Sequence, residues 1–237
     1  MSKSSQPGSE SPPTVAWPDM VKFVRQLSHD IRNNLNAVEL QSAYLAELAE
    51  DPELKNEIQR LREMISAVGR NLQGLTTGLS QVNPTPISYP AGDFIEDFKQ
   101  KLPKEFADNA AKVTWDVQLK AETLEIDPQL VEQALLEIFA NAFRHESNVK
   151  SITAKAYIIK DRFVFELREP KARFELATEN WGRQPLRKVS QGHYGIGLHR
   201  VRSIAEAHGG DLRAEYDRTT STLVTTVTLP SFSDEES

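Results

Sequence analysis

Apolar residues in the first third of the chain return with a helical period. Val24, Leu27, Ile31, Leu35, Val38 and Leu45 recur at steps of three, four or seven, which places them on one stripe of a helix running from Val21 to about Glu50. Asp51-Pro52 then supplies an N-cap and a proline for the first turn of a second helix. Leu54, Ile58, Leu61, Ile65, Val68, Leu72, Leu75 and Leu79 carry its stripe to about Gln81. Two long helices joined by so short a turn form an antiparallel hairpin. A lone hairpin leaves much of its stripe in water, so the pattern predicts pairing with a second copy into a four-helix bundle.

Asn83-Pro84-Thr85-Pro86 ends the helical period and reads as an interdomain linker. Beyond it the pattern predicts strands at 87–89, 113–117, 123–126, 150–159, 162–168, 211–217 and 222–229, with Phe163, Phe165 and Leu167 alternating. Helices are expected over 92–102, from Asp127-Pro128 to about His145, and over 195–208, where Gly209-Gly210 stops the last one. The second region is therefore mixed α+β, a sheet covered by helices. A polar stretch of about 24 residues ending at Tyr194 is too long for an idle connector and reads as a functional loop. The ends, 1–19 and the acidic 231–237, read as disordered tails around a hairpin at 20–82, the linker at 83–86 and a domain at 87–230.

Composition narrows the chemistry. The chain of 237 residues has no cysteine, which removes disulfides, thiolate metal sites and cysteine nucleophiles. Its 28 basic and 34 acidic residues give a net charge of −6, against a general nucleic-acid binder. No apolar run is long enough to span a bilayer and no apolar signal core opens the chain, so a cytoplasmic location is expected.

Three short segments could carry chemistry. His29 lies between Leu27 and Ile31 and points to the opposite side of the helix, into solvent. A neutral imidazole is a competent nucleophile, the adjacent Asp30 can orient it and take its proton, and Asn33 shares its face. In the second segment Glu137 and Asn141 stand one turn apart, with Arg144 and His145 a turn further on. A carboxylate and an amide oxygen can hold Mg²⁺ or position a water, and a nearby cation suits phosphate. In the third, Gly195 and Gly197 open a helix, where backbone N–H groups can approach a phosphate. Each segment taken singly also fits an ordinary solvated helix face or a flexible cap.

Their order is more specific. HDIRNNLN (29–36), EIFANAFRH (137–145) and GIGLHRVRSIAEAHGG (195–210) resemble the phosphoacceptor box, the N box and the last glycine box of two-component histidine kinase transmitter regions, over about residues 20–230. The resemblance implies a dimerising phosphoacceptor hairpin followed by an α/β sandwich of the Bergerat type that binds Mg·ATP. It implies that His29 is phosphorylated, with Asp30 as its acid/base partner and Asn33 as the residue that orients water for dephosphorylation of a response regulator. It implies Asn141 as the Mg²⁺ ligand and Gly195 and Gly197 beside the phosphates. Glu137 stands where many members have Asn and some related ATPases and kinases have Glu. Implied partners are a second copy of the chain and a response-regulator receiver domain; with no sensing segment before residue 20, the stimulus is expected through a partner, a separate sensory protein, or through the tail.

Residues 168–190 hold six basic and three acidic side chains, 6 − 3 = +3, which suits a lid over a polyphosphate, with Arg183, Arg187 and Lys188 as candidate contacts. The sequence departs from the family at the box that reads adenine. Where the family has Asp-x-Gly-x-Gly, this chain has Glu169-Pro170-Lys171-Ala172-Arg173, so Glu169 stands for the Asp and two basic residues stand for the glycines. His193 replaces the first glycine of the later box, and Asn34 stands where the phosphoacceptor box commonly has Pro. Two functions follow: a histidine kinase that autophosphorylates His29 from ATP and passes the phosphoryl group to a receiver Asp, or a histidine phosphotransfer or scaffold protein on a degenerate kinase fold that does not use ATP.

Overall fold

The structure, a computed structural model, describes residues 15–144, 152–175, 178, 180–183, 185–186 and 195–233. They fall into two compact units that divide between Ser80 and Gln81.

The first unit is a helical hairpin, α1 (Trp17–Leu48) and α2 (Pro52–Gly78). The side chain of Asp51 accepts from the Glu53 backbone N–H at 3.0 Å, and Pro52 needs no such partner, so the turn is closed by local chemistry. Helix α1 begins inside the segment expected as a tail. The expected single stripe also divides in two. The seam between the helices is lined by small or slim residues, with Ser28, Ser42, Ala49, Ile58 and Ile65 buried. Leu27, Val38 and Leu45 stay exposed, because they lie on the side of α1 turned from that seam.

The second unit opens with β1 (Ile87–Pro90), α3 (Ala91–Glu105), a short α4 (Ala107–Ala110), β2 (Val113–Gln118) and β3 (Glu122–Ile126). It continues with α5 (Pro128–Arg144), β4 (Ile152–Ile159), β5 (Arg162–Pro170), α6 (Gly197–Ala207), β6 (Asp211–Asp217), β7 (Thr222–Pro230) and β8 (Phe232–Ser233). The main sheet has the order β2-β4-β5-β7-β6, with β2 parallel to β4 and the other neighbours antiparallel. A smaller sheet runs β1-β3-β8. Strand β8 takes two residues that the sequence assigns to a tail, because they complete a ladder on β3 at Glu122 and Thr123.

Alternation along the strands produces a two-layer sandwich. On β4 and β5, Ile152, Ala154, Ala156, Phe163, Phe165 and Leu167 point to the helices and are fully buried. Phe98 of α3, Phe139 of α5, Phe165 and Trp115 form the aromatic centre of this core, with ring centroids 5.7–6.4 Å apart. The opposite sheet face is polar: Lys155 pairs with Asp116 at 2.8 Å, and the Tyr157 hydroxyl donates to Glu166 at 2.7 Å. Burial, helped by that bond, lifts the Tyr157 phenol to about 12. No helix among the described residues is long and apolar enough to cross a membrane.

Candidate functional sites

In the first unit the imidazole of His29 is two-thirds exposed. Its Nδ1 lies 3.3 Å from Asp30 Oδ1 and 3.4 Å from Asn33 Nδ2. Asp30 is held in turn by Gln26, whose Nε2 donates to Oδ1 at 2.8 Å. Asp30 only accepts, so its contact belongs to the tautomer with the proton on Nδ1 and the lone pair on Nε2, whereas Asn33 Nδ2 can donate to Nδ1 only in the other tautomer. Arg32, three residues on, donates across the hairpin to Gln73 of α2, which fixes this turn of α1. His29, Asp30 and Asn33 are thus brought together as the helix period predicts.

In the second unit Glu137 and Asn141 stack on one face of α5. Asn141 Nδ2 is 3.4 Å from Glu137 Oε1, and Arg144 Nη1 donates to Asn141 Oδ1 at 3.3 Å. Burial raises the pKa of Glu137 above its ordinary 4.5, opposed in part by Arg144 and by the bond from Asn141. Its carboxylate lies directly against the start of α6. A Cβ built on Gly197 would stand 1.9 Å from Glu137 Oε1, so any larger residue here would push the Glu137 carboxylate aside. Gly195 takes a left-handed φ of +64° just before the helix begins. Glycine in this segment therefore lets α6 meet a carboxylate of its own chain, which the phosphate reading of Gly197 does not foresee. Asn141 and Glu137 offer the hard oxygen donors that Mg²⁺ prefers.

Glu169 ends the inward row of β5 after Phe163, Phe165 and Leu167 and is only 5% exposed. Lys171 Nζ lies 3.1 Å from its Oε2, and both side chains are largely buried. The expected basic lid is reduced by such pairs. Arg168 binds Glu166 on the outer sheet face, Lys171 binds Glu169, and Arg173 binds Glu175. Arg183 is exposed. His145, Arg187, Lys188 and His193 lie outside the described residues.

Two residues that sequence reasoning passes over hold this end of the domain together. Arg202 is 6% exposed; its Nε donates to the Trp181 carbonyl at 3.0 Å, Nη1 to Asp211 at 2.7 Å and to Glu206 at 3.3 Å, and Nη2 to the Leu212 carbonyl. His208 accepts the Asp127 N–H at Nε2 (3.0 Å), and its Nδ1 faces the Ile204 carbonyl at 2.8 Å. That bond joins the end of α6 to the start of α5. A cation or an imidazole among buried helix positions is the signal that would have found both.

Residues 126–233 match the family described as histidine kinase-, DNA gyrase B-, and HSP90-like ATPase. Among solved structures, the chain is similar to full-length ShkA in complex with AMPPNP, with 17% identity and a TM-score of 0.69 over 89% of this chain and 46% of that one. This chain thus spans about half of the length of ShkA. It is also similar to the Acinetobacter baumannii histidine kinase AdeS, with 16% identity and a TM-score of 0.50 over 85% of this chain and 97% of that one. At these identities the likeness is one of fold. No curated protein matches the sequence.

Proposed function

Starting from a second unit that carries a histidine kinase-, DNA gyrase B- and HSP90-like ATPase domain, we propose that the chain is a histidine kinase whose phosphoacceptor is His29. The observation that carries this reading is an exposed imidazole, oriented by Asp30, on a helical hairpin joined to such a domain. The Nε2 lone pair of His29 attacks the γ-phosphorus of ATP, the β–γ bridging P–O bond breaks, and ADP leaves with the electron pair. Asp30 takes up the positive charge that develops on Nδ1–H. The phosphoryl group then passes from Nε2 to an aspartate oxygen of a response-regulator receiver domain. Asn33, one helical turn from His29, is positioned to orient water when the regulator is dephosphorylated.

In the second unit Glu137, Asn141 and Arg144 form the phosphate end of the site, and Glu169 is the base-reading carboxylate. Asn141, beside Glu137, would hold Mg²⁺, which supplies charge neutralisation for the phosphates. Glu137 accepts from Asn141 Nδ2 at 3.4 Å and so positions the amide oxygen that would face the metal. The likeness in fold to ShkA, solved with AMPPNP, supports a nucleotide here. The exposed Leu27, Val38, Leu45, Leu61 and Val68 support a homodimer through the hairpin, since each helix leaves one apolar face without a cover. The chain acts in the cytoplasm.

Incubation with γ-labelled ATP tests the kinase. Acid-labile label is expected on the wild type and not on His29→Gln. No label across divalent metals, with a candidate regulator present, would overturn the reading. A stable monomer in sedimentation at micromolar concentration would overturn the dimer. The Glu169–Lys171 pair favours a second reading, in which His29 is charged by a phosphorylated regulator and ATP is not used. Label that enters His29 from a phosphorylated receiver but never from ATP would select it.

A further inference from the structure

Helix α1 carries a second period besides the one turned to α2. Val24, Ile31, Val38 and Leu45 form one row at steps of seven, and Met20, Leu27, Asn34, Gln41 and Leu48 form the row beside it. At about 100° per residue Asn34 lies within about 20° of Leu27, and Gln41 within about 40°. Leu27, Val38, Leu45 and Leu48 are between 45% and 60% exposed. Asn34 and Gln41 are exposed among them. We propose that these two amides make the apolar face of α1 selective for a second copy of this chain: they pair with the amides of the partner's α1 and fix the register of the dimer. This rests on the homodimer proposed above, and adds which partners and which registers the face refuses.

Neither amide is used within the hairpin. Gln26, Gln59 and Gln73 donate to Asp30, Glu63 and Thr77, each one turn on. Asn34 and Gln41 have no such partner among the described residues. Asn is also a poor choice for a helix interior, since it competes for backbone hydrogen bonds. An amide buried in an interface without a partner weakens the association. Two of them in one apolar row therefore require polar groups opposite. The exposed row of α2, Leu61, Met64 and Val68, is apolar and offers none.

A side-chain amide carries both donors and an acceptor, so it complements another amide. A second α1 supplies two such groups at the same spacing. An all-apolar helix supplies neither and leaves both amides unsatisfied. Sliding the second copy by one heptad sets an amide against a leucine, because Leu27 and Leu48 flank the pair in the same row. Leucine at these two positions would make the face more adhesive and less particular. Asn34 and Gln41 thus act as specificity-determining positions of the dimer.

Mixing tests this on the full chain. Wild type and Asn34→Leu/Gln41→Leu carry tags of different mass, exchange subunits, and are counted as dimers by native mass spectrometry. Both positions are exposed in the hairpin, so each chain is expected to fold and to form its own dimer. Free mixing makes half of all dimers mixed. Here mixed dimers are expected at less than about a tenth of that share, because each buries two amides without partners. The variant's own dimer is expected to hold about tenfold tighter than the wild type, since polar positions in such a row lower stability. Gln41→Asn, which keeps the amide, is expected to mix freely with the wild type. Mixed dimers of wild type and the double leucine variant at the statistical share would overturn the inference and leave the homodimer standing. A variant dimer no tighter than the wild type would do the same. A wild type that stays monomeric at micromolar concentration would overturn both.

Discussion

The two units place their chemistry in opposite environments. His29 stands two-thirds exposed on a helix, and its two polar contacts, at 3.3 and 3.4 Å, are long. Glu169 is buried on the inward face of the sheet against Lys171, and Glu137 is half-buried on α5 against Gly197. A group that must be met by a nucleotide and then by a second protein has to be reachable, and a loosely held side chain on a rigid helix provides that. A group that reads or positions a ligand has to be preorganised, and burial with fixed neighbours provides that. The same difference separates function from stability: in the hairpin a site residue can be lost with the fold intact, whereas in the second unit Glu169 is packed into the core.

Substitution at His29 is the sharpest test of this contrast. His29→Gln is expected to lower ATP-dependent labelling by about a thousandfold or more. Its melting temperature should stay at the wild-type value, since exposed positions change stability by roughly 0.5 kcal/mol or less. A clear loss of stability would mean that the imidazole is a structural group. Arg202→Ala is the opposite case. It removes the partner of Asp211 and of the Trp181 and Leu212 carbonyls, and is expected to cost about 3–5 kcal/mol. Thermal melting should show the second unit falling by roughly 10 °C, with the hairpin transition unmoved.

Gly197→Ala joins the two kinds of effect. Its Cβ would displace the flexible Glu137 carboxylate, so a loss of about 1 kcal/mol is expected together with loss of labelling from ATP. Retained labelling in a destabilised protein would separate the close approach from the chemistry. The smallest effect is at Glu137 itself. Because burial raises its folded pKa above 4.5, the carboxyl favours the fold fully below that value and less as pH rises through the raised pKa. Glu137→Gln should match the wild type in acid and gain stability relative to it across that window. Melting curves between pH 4 and 8 read the difference; a variant that loses ground as pH rises would reverse the sign.

Much of the fold is legible because it is written locally. The Asp51-Pro52 cap and the alternation of Phe163, Phe165 and Leu167 lead to a turn and a strand without reference to the rest of the chain. Periodicity stops short of saying how many partners an apolar face has. Leu27, Val38 and Leu45 belong to the same stripe as Ile31 and Leu35, yet the hairpin seam is made by Ser28, Ser42 and Ala49. Phe232–Ser233 carries no strand signal, since its pairing comes from β3 more than a hundred residues earlier. The contact between Glu137 and Gly197 is equally long-range. The Glu169–Lys171 pair was within reach, because Lys171 follows directly on the end of β5, two residues from Glu169. A description of Lys171 only as the residue that replaces a glycine conceals what it adds.

Strand β3 has a mechanical consequence. It pairs with β1, just after the linker, at Ile87↔Ile126, and with β8, close to the end of the chain, at Glu122↔Ser233. A pull between the linker and the C-terminal end therefore runs from Ile87 to Ile126, along β3, and out from Glu122 through Ser233. The five-stranded sheet that carries Glu169 lies outside this load path. Tension would peel the small sheet open first, and the site would keep its shape until those few ladder bonds had parted.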